Sequence, residues 1–373
     1  MSDSFATRGI VEHVLGNRLN ILLVALPFAL VLDFAGASDV LVFLLSAVAV
    51  VPLAGLIGNA TDQAARYVGP SLGGFLNATF GNAAELIIAV VALRAGLVEV
   101  VKASLTGSLL GNVLLVLGAA MLVGGWGRER QVFNRTAVGV SGGLLLLTVG
   151  AVLMPDIYAE TLNGDQPVRS PNILVISVLV SIVMLGAYGA SLVFSLKTHR
   201  PMLGAAAPEE QALPMLTRRN AIVLLAVATV LTAVAAEVLV GSVEDAARTL
   251  GLSDLFVGAV IVAIVGNAAE HFSAVMFARR DHMDLTVGIA LGSASQVALL
   301  VAPVAVLVSL VVGHPMALVF DHFELGAILI AVLGVCFLSL DGESNWFEGV
   351  LLLAIYLIIA IIFFFVPETS ITP

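Results

Sequence analysis

A five-residue sequence that ends in a carboxylate occurs twice in this chain. Gly-Asn-Ala-Ala-Glu occupies residues 81–85 and returns unchanged at 266–270. Both copies lie in strongly apolar segments, so Glu85 and Glu270 place an ionisable group where the interior of a bilayer is expected. A charge at the centre of a spanning helix costs about 2.5–3.5 kcal/mol on insertion scales, and such residues usually line an ion or proton path. The duplication therefore predicts two related halves with one ion site between them.

The backbone around each glutamate is predicted to contribute ligands as well. Gly-Asn followed by Glu three residues later is typical of a helix start, in which Asn82 caps the helix and Glu85 closes a capping box. The helix would be broken near Gly81, and its counterpart near Gly266, which frees backbone carbonyls. Ca²⁺ takes about six to eight oxygen ligands. The expected cation site consists of Glu85, Glu270, Asn82, Asn267, Gly81, Gly266, Ala78, Ser293 and Gln296.

The same two glutamates are expected to couple cation movement to protons. Two ionised carboxylates in one low-dielectric pocket repel each other and lose hydration, and no Lys or Arg is expected in the core to neutralise them. An empty pocket would take up protons that a divalent cation must displace, which is the requirement for obligatory exchange. Glu237, an acid without a copy in the first half, is either a proton relay or a residue near the outer surface.

Several of these features also have a purely structural interpretation. The two pentapeptides could be helix caps, Gln296 could bond only between helices, and His271 is more often a packing residue than a ligand. Glycines such as Gly107 and Gly288 are expected to let helices approach closely. An accessory polar lining is predicted at Ser104, Ser108, Asn112 and Ser295, of which the first three share a helix face; hydrogen bonds between helices would explain it equally well.

The composition excludes an ordinary soluble protein. Of the 373 residues 60% are hydrophobic and 11% are charged, and the mean hydropathy is +1.09, which is typical of a polytopic membrane protein. The single cysteine, Cys336, has no partner for a disulfide. We find no nucleic-acid signature, no zinc-hydrolase, nucleophile-elbow or phosphate-loop motif, and expect neither an enzyme nor a cofactor. The expected partners are the transported ions and the lipid bilayer.

The elements that must position the site are apolar segments of about 17 to 25 residues, the length that spans a bilayer. Eleven are predicted, at residues 19–34, 40–58, 72–93, 101–124, 137–154, 173–196, 221–240, 255–278, 285–312, 325–340 and 347–366. The predicted fold is an all-α membrane protein of eleven transmembrane helices arranged as 1 + 5 + 5. Its parts are an N-terminal segment with the first helix (1–38), a five-helix repeat (39–196), a cytoplasmic linker (197–220), a second repeat (221–366) and a tail (367–373).

The distribution of basic residues predicts the orientation. With the N-terminus in the cytoplasm, twelve of the 16 Lys and Arg residues lie inside. An odd number of spans then leaves the C-terminus outside. Five-helix halves enter the membrane from opposite sides, so the repeats are inverted, with broken helices at their interface, as in alternating-access transporters.

The repeat extends beyond the pentapeptide. A shift of 185 residues that superposes its two copies also carries Gly107-Ser108 onto Gly292-Ser293, and residues 114–116 onto 299–301. One shift that serves two consecutive helices is much less expected by chance than one matching pentapeptide.

Three stretches resemble the calcium/proton exchanger family of the calcium/cation antiporter superfamily. Residues 73–87, which include Phe-Gly-Asn-Ala-Ala-Glu, are similar to its first repeat signature, 265–271 to the second, and Gly-Ser-Ala-Ser-Gln at 292–296 to the polar patch that follows. The resemblance implies the 1 + 5 + 5 plan, Glu85 and Glu270 as the central acids with Asn82 and Asn267 beside them, and efflux of cytosolic Ca²⁺ for entering H⁺. We expect a prokaryotic plasma (inner) membrane protein.

The sequence departs from the family pattern at two places. The linker has only Glu209 and Glu210 as acids, and Asp62 stands where Glu is expected. Two other functions compete with Ca²⁺/H⁺ exchange: Na⁺-coupled Ca²⁺ exchange and a passive cation channel. A sodium exchanger should carry hydroxyl residues beside each acid, and here those positions are alanines, which favours proton coupling.

Overall fold

The chain folds almost entirely into helices. A computed structural model describes residues 9–161, 171–199, 202 and 215–366. In this part of the chain the α-helices are α1 (Ile10–Leu15), α2 (Ala25–Phe34), α3 (Asp39–Ala65), α4 (Pro70–Phe80), α5 (Ala83–Arg94), α6 (Val98–Leu110), α7 (Leu117–Gly125), α8 (Arg135–Glu160), α9 (Pro171–Val193), α10 (Arg218–Leu250), α11 (Asp254–Phe256), α12 (Ala263–Arg279), α13 (Met283–Gln296), α14 (Ala302–Val312), α15 (His322–Leu338) and α16 (Trp346–Phe365). The predictions on Glu209, Glu210 and the tail 367–373 lie outside the described residues.

Among the described residues, eight helical stretches are long and apolar enough to cross a membrane. The pair α4–α5 adds a ninth if its two bent helices count as one span, and α15 is a shorter apolar helix. The first predicted segment is a 3₁₀ helix, Arg18–Val24, continued by α2. All eleven predicted segments are therefore helical, while the exact count of eleven spans stays a prediction.

Three π-helical segments of the described chain join neighbouring α-helices into longer rods, and a fourth extends the end of α9. Such segments lie at Gly111–Val116, Phe194–Thr198, Val257–Val262 and Val297–Val301. The shift of 185 residues carries the first of these onto 296–301, which is the fourth apart from one residue. The two halves therefore share a helical irregularity that follows their polar patches, and π-turns of this kind often lie at functional sites.

Small residues allow the helices of the core to come close. A methyl group on Gly118 in α7 would lie 3.0 Å from the carbonyl oxygen of Gly349 in α16, so only glycine permits this approach without a shift. The expected close approach at Gly107 is confirmed, because its missing side chain makes room for the backbone of Ala259. The expectation is wrong for Gly288, where a methyl group would meet no described atom within 4 Å.

One short antiparallel strand pair joins the two halves. Strand β1 (Gln131–Val132), between α7 and α8, pairs with β2 (Glu343–Ser344), between α15 and α16. The amide of Phe133 also donates to the carbonyl of Gly342 at 2.9 Å, and Arg130 pairs with Glu343 at 2.8 Å. An all-helical expectation missed this pair because two-residue strands carry no alternating pattern.

Candidate ion-binding site between the two repeats

Glu85 lies in the first turn of α5, directly after the break between α4 and α5. These helices are bent by 42° around Gly81 and Asn82. The Glu85 side chain reaches the other half, because a methyl group on Gly266 would lie 3.8 Å from its Cγ and 3.9 Å from its Oε1. Its Oε2 is buried without a hydrogen-bond partner among the described residues. The acid of the first copy thus lies against the glycine of the second.

Glu270 lies in the middle of α12, and the hydroxyl of Ser293 on α13 of the same half is a polar group that influences it. Its Oε2 is buried without a partner in the described part of the chain. The carboxylates of Glu85 and Glu270 are near enough to interact electrostatically. The structure therefore brings the two predicted acids into one site, with one orphaned oxygen on each.

Asn82 supports this site from the first half, although not as predicted. It stands at the N-cap of α5, but its side chain makes no capping hydrogen bond, so the expected capping box is wrong. Its amide nitrogen instead donates to Oε1 of Gln296, and its Oδ1 accepts from Ser293 at 3.5 Å. Both partners belong to α13 in the second half, and the cap was lost to these tertiary bonds.

Asn267 supports the site from the second half in the corresponding way. Its amide nitrogen donates to Oγ of Ser108 and to the carbonyl of Ala263, both at 2.9 Å. Its Oδ1 accepts from Asn112 at 3.2 Å, and Asn112 also donates to Ser293 at 3.1 Å. Each motif asparagine is thus bound by the polar patch of the opposite half, and Asn112 links the two sets of bonds.

The predicted backbone ligands lie in different local structures in the two halves. Gly81 lies at the break, as expected. Gly266 lies within α12, which continues without interruption from Ala263 to Arg279, so the expected break there is wrong. A π-turn at Val257–Val262 precedes this helix instead. The carbonyl of Ala78 accepts a hydrogen bond from the buried Tyr188 hydroxyl at 3.0 Å, so one of its lone pairs is already used.

Two accessory residues and His271 lie around this network rather than in it. Ser104 faces a narrow apolar cavity beside Val262 and Leu239. The Ser295 hydroxyl donates to the carbonyl of Leu291 in its own helix at 2.8 Å, which is a local bond. The His271 ring lies under Gly111, with its Nε2 buried and unpaired in the described structure. Of the accessory lining, only Ser108 and Asn112 join the central network.

Glu237 lies apart from the two central glutamates. It is an exposed residue of α10 and forms an ion pair of 3.4 Å with Arg94 at the end of α5. Of the two alternatives for this residue, a position near an outer surface describes it and a place in the buried site does not.

Sequence reasoning missed several buried ionisable groups, among them Lys102 and Glu324 near helix ends. Lys102 on α6 is only 4% exposed and pairs with Glu99 at 2.9 Å, although no cation was expected in the core. Glu324 on α15 is 2% exposed; it accepts from the Thr106 hydroxyl at 2.8 Å and closes a capping box with Asp321. The spacing Asp-x-x-Glu before an apolar run could have identified that cap.

The chemistry of the central site follows from its unpaired oxygens. Glu85 and Glu270 present carboxylate oxygens, and the nearest polar groups are neutral amides and hydroxyls. Buried carboxylates need a counter-charge, and the described residues around them supply none, since Lys102 is paired with Glu99. A cation or protons can supply it, and oxygen-rich sites of this kind favour hard cations.

The comparisons agree with this chemistry. The chain matches the family described as "Sodium/calcium exchanger protein" over residues 38–197 and 220–365. The Ca(2+)/H(+) antiporter of Synechocystis sp. is 44% identical over 365 residues, which cover 93% of this chain and 97% of that protein. The Ca(2+)/H(+) antiporter ChaA of Bacillus subtilis is 42% identical, with 93% and 99% covered. The crystal structure of the Ca2+/H+ antiporter protein YfkE has 38% identity and a TM-score of 0.80, covering 94% of this chain and 100% of that one.

Matches of this extent show a membrane antiporter of the sodium/calcium exchanger family, and the chain belongs within it to the calcium/proton exchangers that its two motifs resemble. The apolar helices and these relatives make it an integral membrane protein.

Proposed function

We propose that this protein exchanges cytosolic Ca²⁺ for H⁺ across the membrane by alternating access. The observation that carries the proposal is the pair of orphaned buried oxygens, Oε2 of Glu85 and Oε2 of Glu270, one from each half. A divalent cation bound between them satisfies both oxygens and both charges. Protons on the carboxylates do the same, so the site is occupied by one or the other and never left bare.

The remaining predicted ligands have distinct roles in this proposal. Asn82, Ser293 and Gln296 hold the first acid's helix against the second half, and Asn267 with Ser108 and Asn112 does the converse. The carbonyl oxygens at the α4–α5 break are the backbone ligands for the cation. We propose no such ligand at Gly266, because the helix is continuous there. In this proposal the exchanged ions are therefore held by one acid from each half and by the backbone of one broken helix.

We propose that these elements form eleven spans in the 1 + 5 + 5 plan. The first is the 3₁₀ helix Arg18–Val24 with α2; the two halves, 39–196 and 221–366, then cross the membrane in opposite directions. The related π-turns and the crossed asparagine bonds support this inverted arrangement. The positive-inside pattern places the N-terminus and the linker 197–220 in the cytoplasm, and the C-terminus outside. In this orientation Ca²⁺ leaves the cell as protons enter.

The test is flux of ⁴⁵Ca²⁺ in proteoliposomes that contain the full chain, under imposed H⁺ or Na⁺ gradients. We expect uptake driven by a pH gradient without Na⁺, abolished by a protonophore that collapses the gradient. Uptake that requires Na⁺ would support sodium coupling instead. Ca²⁺ flux that carries current and needs no gradient of either ion would identify a channel. Either result would overturn the proposal.

A further inference from the structure

A second cluster of possible metal ligands lies at the C-terminal end of α8. Asp156 and Glu160 are one helical turn apart, and His322 begins α15 opposite them. One ligand atom from each of the three lies within 4.8 Å of the other two. The cluster joins the two halves, because α8 belongs to the first and α15 to the second.

The buried member of the cluster lacks a partner. Asp156 is 6% exposed, and within the described residues it forms no hydrogen bond or ion pair. Its carboxylate points at Glu160 and His322, whose side chains are 58% and 76% exposed and meet through a contact of 2.6 Å. A carboxylate on a residue this buried is poorly hydrated when it has no direct partner, and a bound cation would offset that cost. The two exposed ligands leave an entry path from the aqueous side.

The neighbouring charges do not substitute for a cation. His322 and, more weakly, Lys102 are the basic residues with an electrostatic effect on Asp156; His322 is itself one of the three clustered residues, and Lys102 is paired with Glu99. Asp321 adds a further negative charge nearby while it caps α15. The cluster thus has an excess of carboxylates and a single imidazole.

We propose that Asp156, Glu160 and His322 bind a divalent transition-metal ion of the Zn²⁺ type, at a site separate from the exchange site. Carboxylate oxygens and the imidazole nitrogen are all Zn²⁺ ligands, three of them leave a fourth tetrahedral position open, and a ligand nitrogen disfavours Ca²⁺. Bonds of about 2.0–2.1 Å place tetrahedral ligands roughly 3.3 Å apart, so the observed spacing needs only side-chain adjustment. Water supplies the fourth ligand.

The test measures binding of Zn²⁺ itself, which does not depend on the proposed exchange function. The full chain carrying Glu85→Gln and Glu270→Gln, in nanodiscs and freed of metal, is titrated with Zn²⁺ by equilibrium dialysis. We expect one bound equivalent. Adding His322→Gln, or separately Glu160→Gln, should weaken binding by more than about 100-fold, since loss of a ligand exceeds the 10- to 100-fold effect of outer-shell partners. His314→Gln removes another exposed histidine and should leave binding unchanged.

Three outcomes would overturn the site. They are no bound Zn²⁺ in the background variant, unchanged affinity in both ligand variants, or an equal loss in the His314 control. Thermal unfolding without metal distinguishes misfolding from ligand loss, because a folded variant should keep its midpoint. A further consequence does rest on exchange: since the metal joins the halves, Zn²⁺ should slow ⁴⁵Ca²⁺ flux in the wild type and not in His322→Gln. Binding without inhibition would leave the site intact and exclude this effect.

Discussion

The two copies of the pentapeptide have the same five residues and different backbones. The first lies where α4 and α5 meet at 42°, and the second lies inside the unbroken α12. The pentapeptide alone therefore does not determine whether the helix breaks. The preceding turns differ: Val257–Val262 absorbs an irregularity as a π-turn in the second half, while the corresponding stretch of the first half is α-helical up to Phe80.

The side chains of the two copies make related contacts although their backbones differ. Each asparagine binds a polar patch of the opposite half, Asn82 to Ser293 and Asn267 to Ser108. Those two serines are related by the 185-residue shift. The comparison teaches that the duplication preserves the cross-half contacts and the acids, while the helix is broken at the motif in the first half and continuous in the second.

The largest expected effect removes either central acid. Glu85→Gln or Glu270→Gln should abolish pH-driven ⁴⁵Ca²⁺ uptake in proteoliposomes, because a neutral amide can neither bind Ca²⁺ strongly nor exchange a proton. Both variants should still insert and elute as folded protein. Equal losses would show that the acids are equivalent despite their different backbones. Transport retained in one variant would break that equivalence and remove its acid from the site.

The second prediction compares the two motif glycines. A methyl group on Gly81 would lie 2.6 Å from the Asn77 carbonyl oxygen, whereas on Gly266 it would lie 3.8 Å from Glu85 Cγ. We expect Gly81→Ala to destabilise the protein by about 1–3 kcal/mol and to reduce transport strongly, since overpacking forces a backbone shift. Gly266→Ala should be nearly neutral in thermal unfolding, because alanine suits a helix interior. A larger loss from Gly266→Ala would contradict the asymmetry.

The third prediction tests the crossed asparagine bonds. Asn267→Ala and Asn82→Ala should each lower the free energy of unfolding by about 1–2 kcal/mol, because both remove bonds between the halves and leave partners unpaired. Ser295→Ala is the matched control, since among the described residues its hydroxyl binds Leu291 of its own helix alone. Denaturant unfolding in detergent measures all three. If the control costs as much as the asparagines, the crossed bonds have no special role.

The fourth prediction concerns a bond that only the first copy has. Tyr188→Phe removes the hydroxyl that binds the Ala78 carbonyl near the break. We expect a loss of about 0.5–1.5 kcal/mol in unfolding free energy and a modest change in the apparent Ca²⁺ affinity. Tyr356→Phe provides the control, because that hydroxyl is buried without a partner among the described residues. Removing the Tyr356 hydroxyl should be neutral. An equal effect of the two variants would argue that the Tyr188 hydroxyl does not stabilise the break between α4 and α5.

The smallest effect is expected for the acid that only the second half has. Glu237 is exposed and its pair with Arg94 is worth about 0–1 kcal/mol at most. Glu237→Gln should leave both the rate of ⁴⁵Ca²⁺ transport and its dependence on external pH unchanged within error. A displaced pH profile would restore the proton-relay interpretation of this residue.

The acids of the site could be predicted because their motif is repeated in the sequence. The local backbone and the hydrogen-bond partners around them were less predictable, because tertiary packing determines them. The shift of 185 residues and the cost of a buried acid identify Glu85 and Glu270 without any structure. The missing break at Gly266 was not predictable, because capping preference is weak and tertiary hydrogen bonds override it. The hydrogen bond of Tyr188 was not predicted for a different reason. A single tyrosine in an apolar helix has no sequence pattern that indicates which carbonyl its hydroxyl will bind.

The positions of the helices could be predicted from the sequence, but the burial of residues near the helix ends could not. Segment lengths located the helices, but residues near their ends, such as Lys102 and Glu324, look solvated in sequence. Burial there depends on how neighbouring helix ends pack, which composition does not encode. The Asp156 cluster was missed for the same reason, since its three residues come from α8 and α15.

The small pairing of β1 with β2 limits how the molecule can move. It joins a connection of the first half to one of the second, and the Arg130–Glu343 contact reinforces it. When one half tilts against the other, residues near the β1–β2 pair would move least, and residues at the opposite end of the molecule would move most. We therefore expect this end of the molecule to act as the pivot of the proposed tilt.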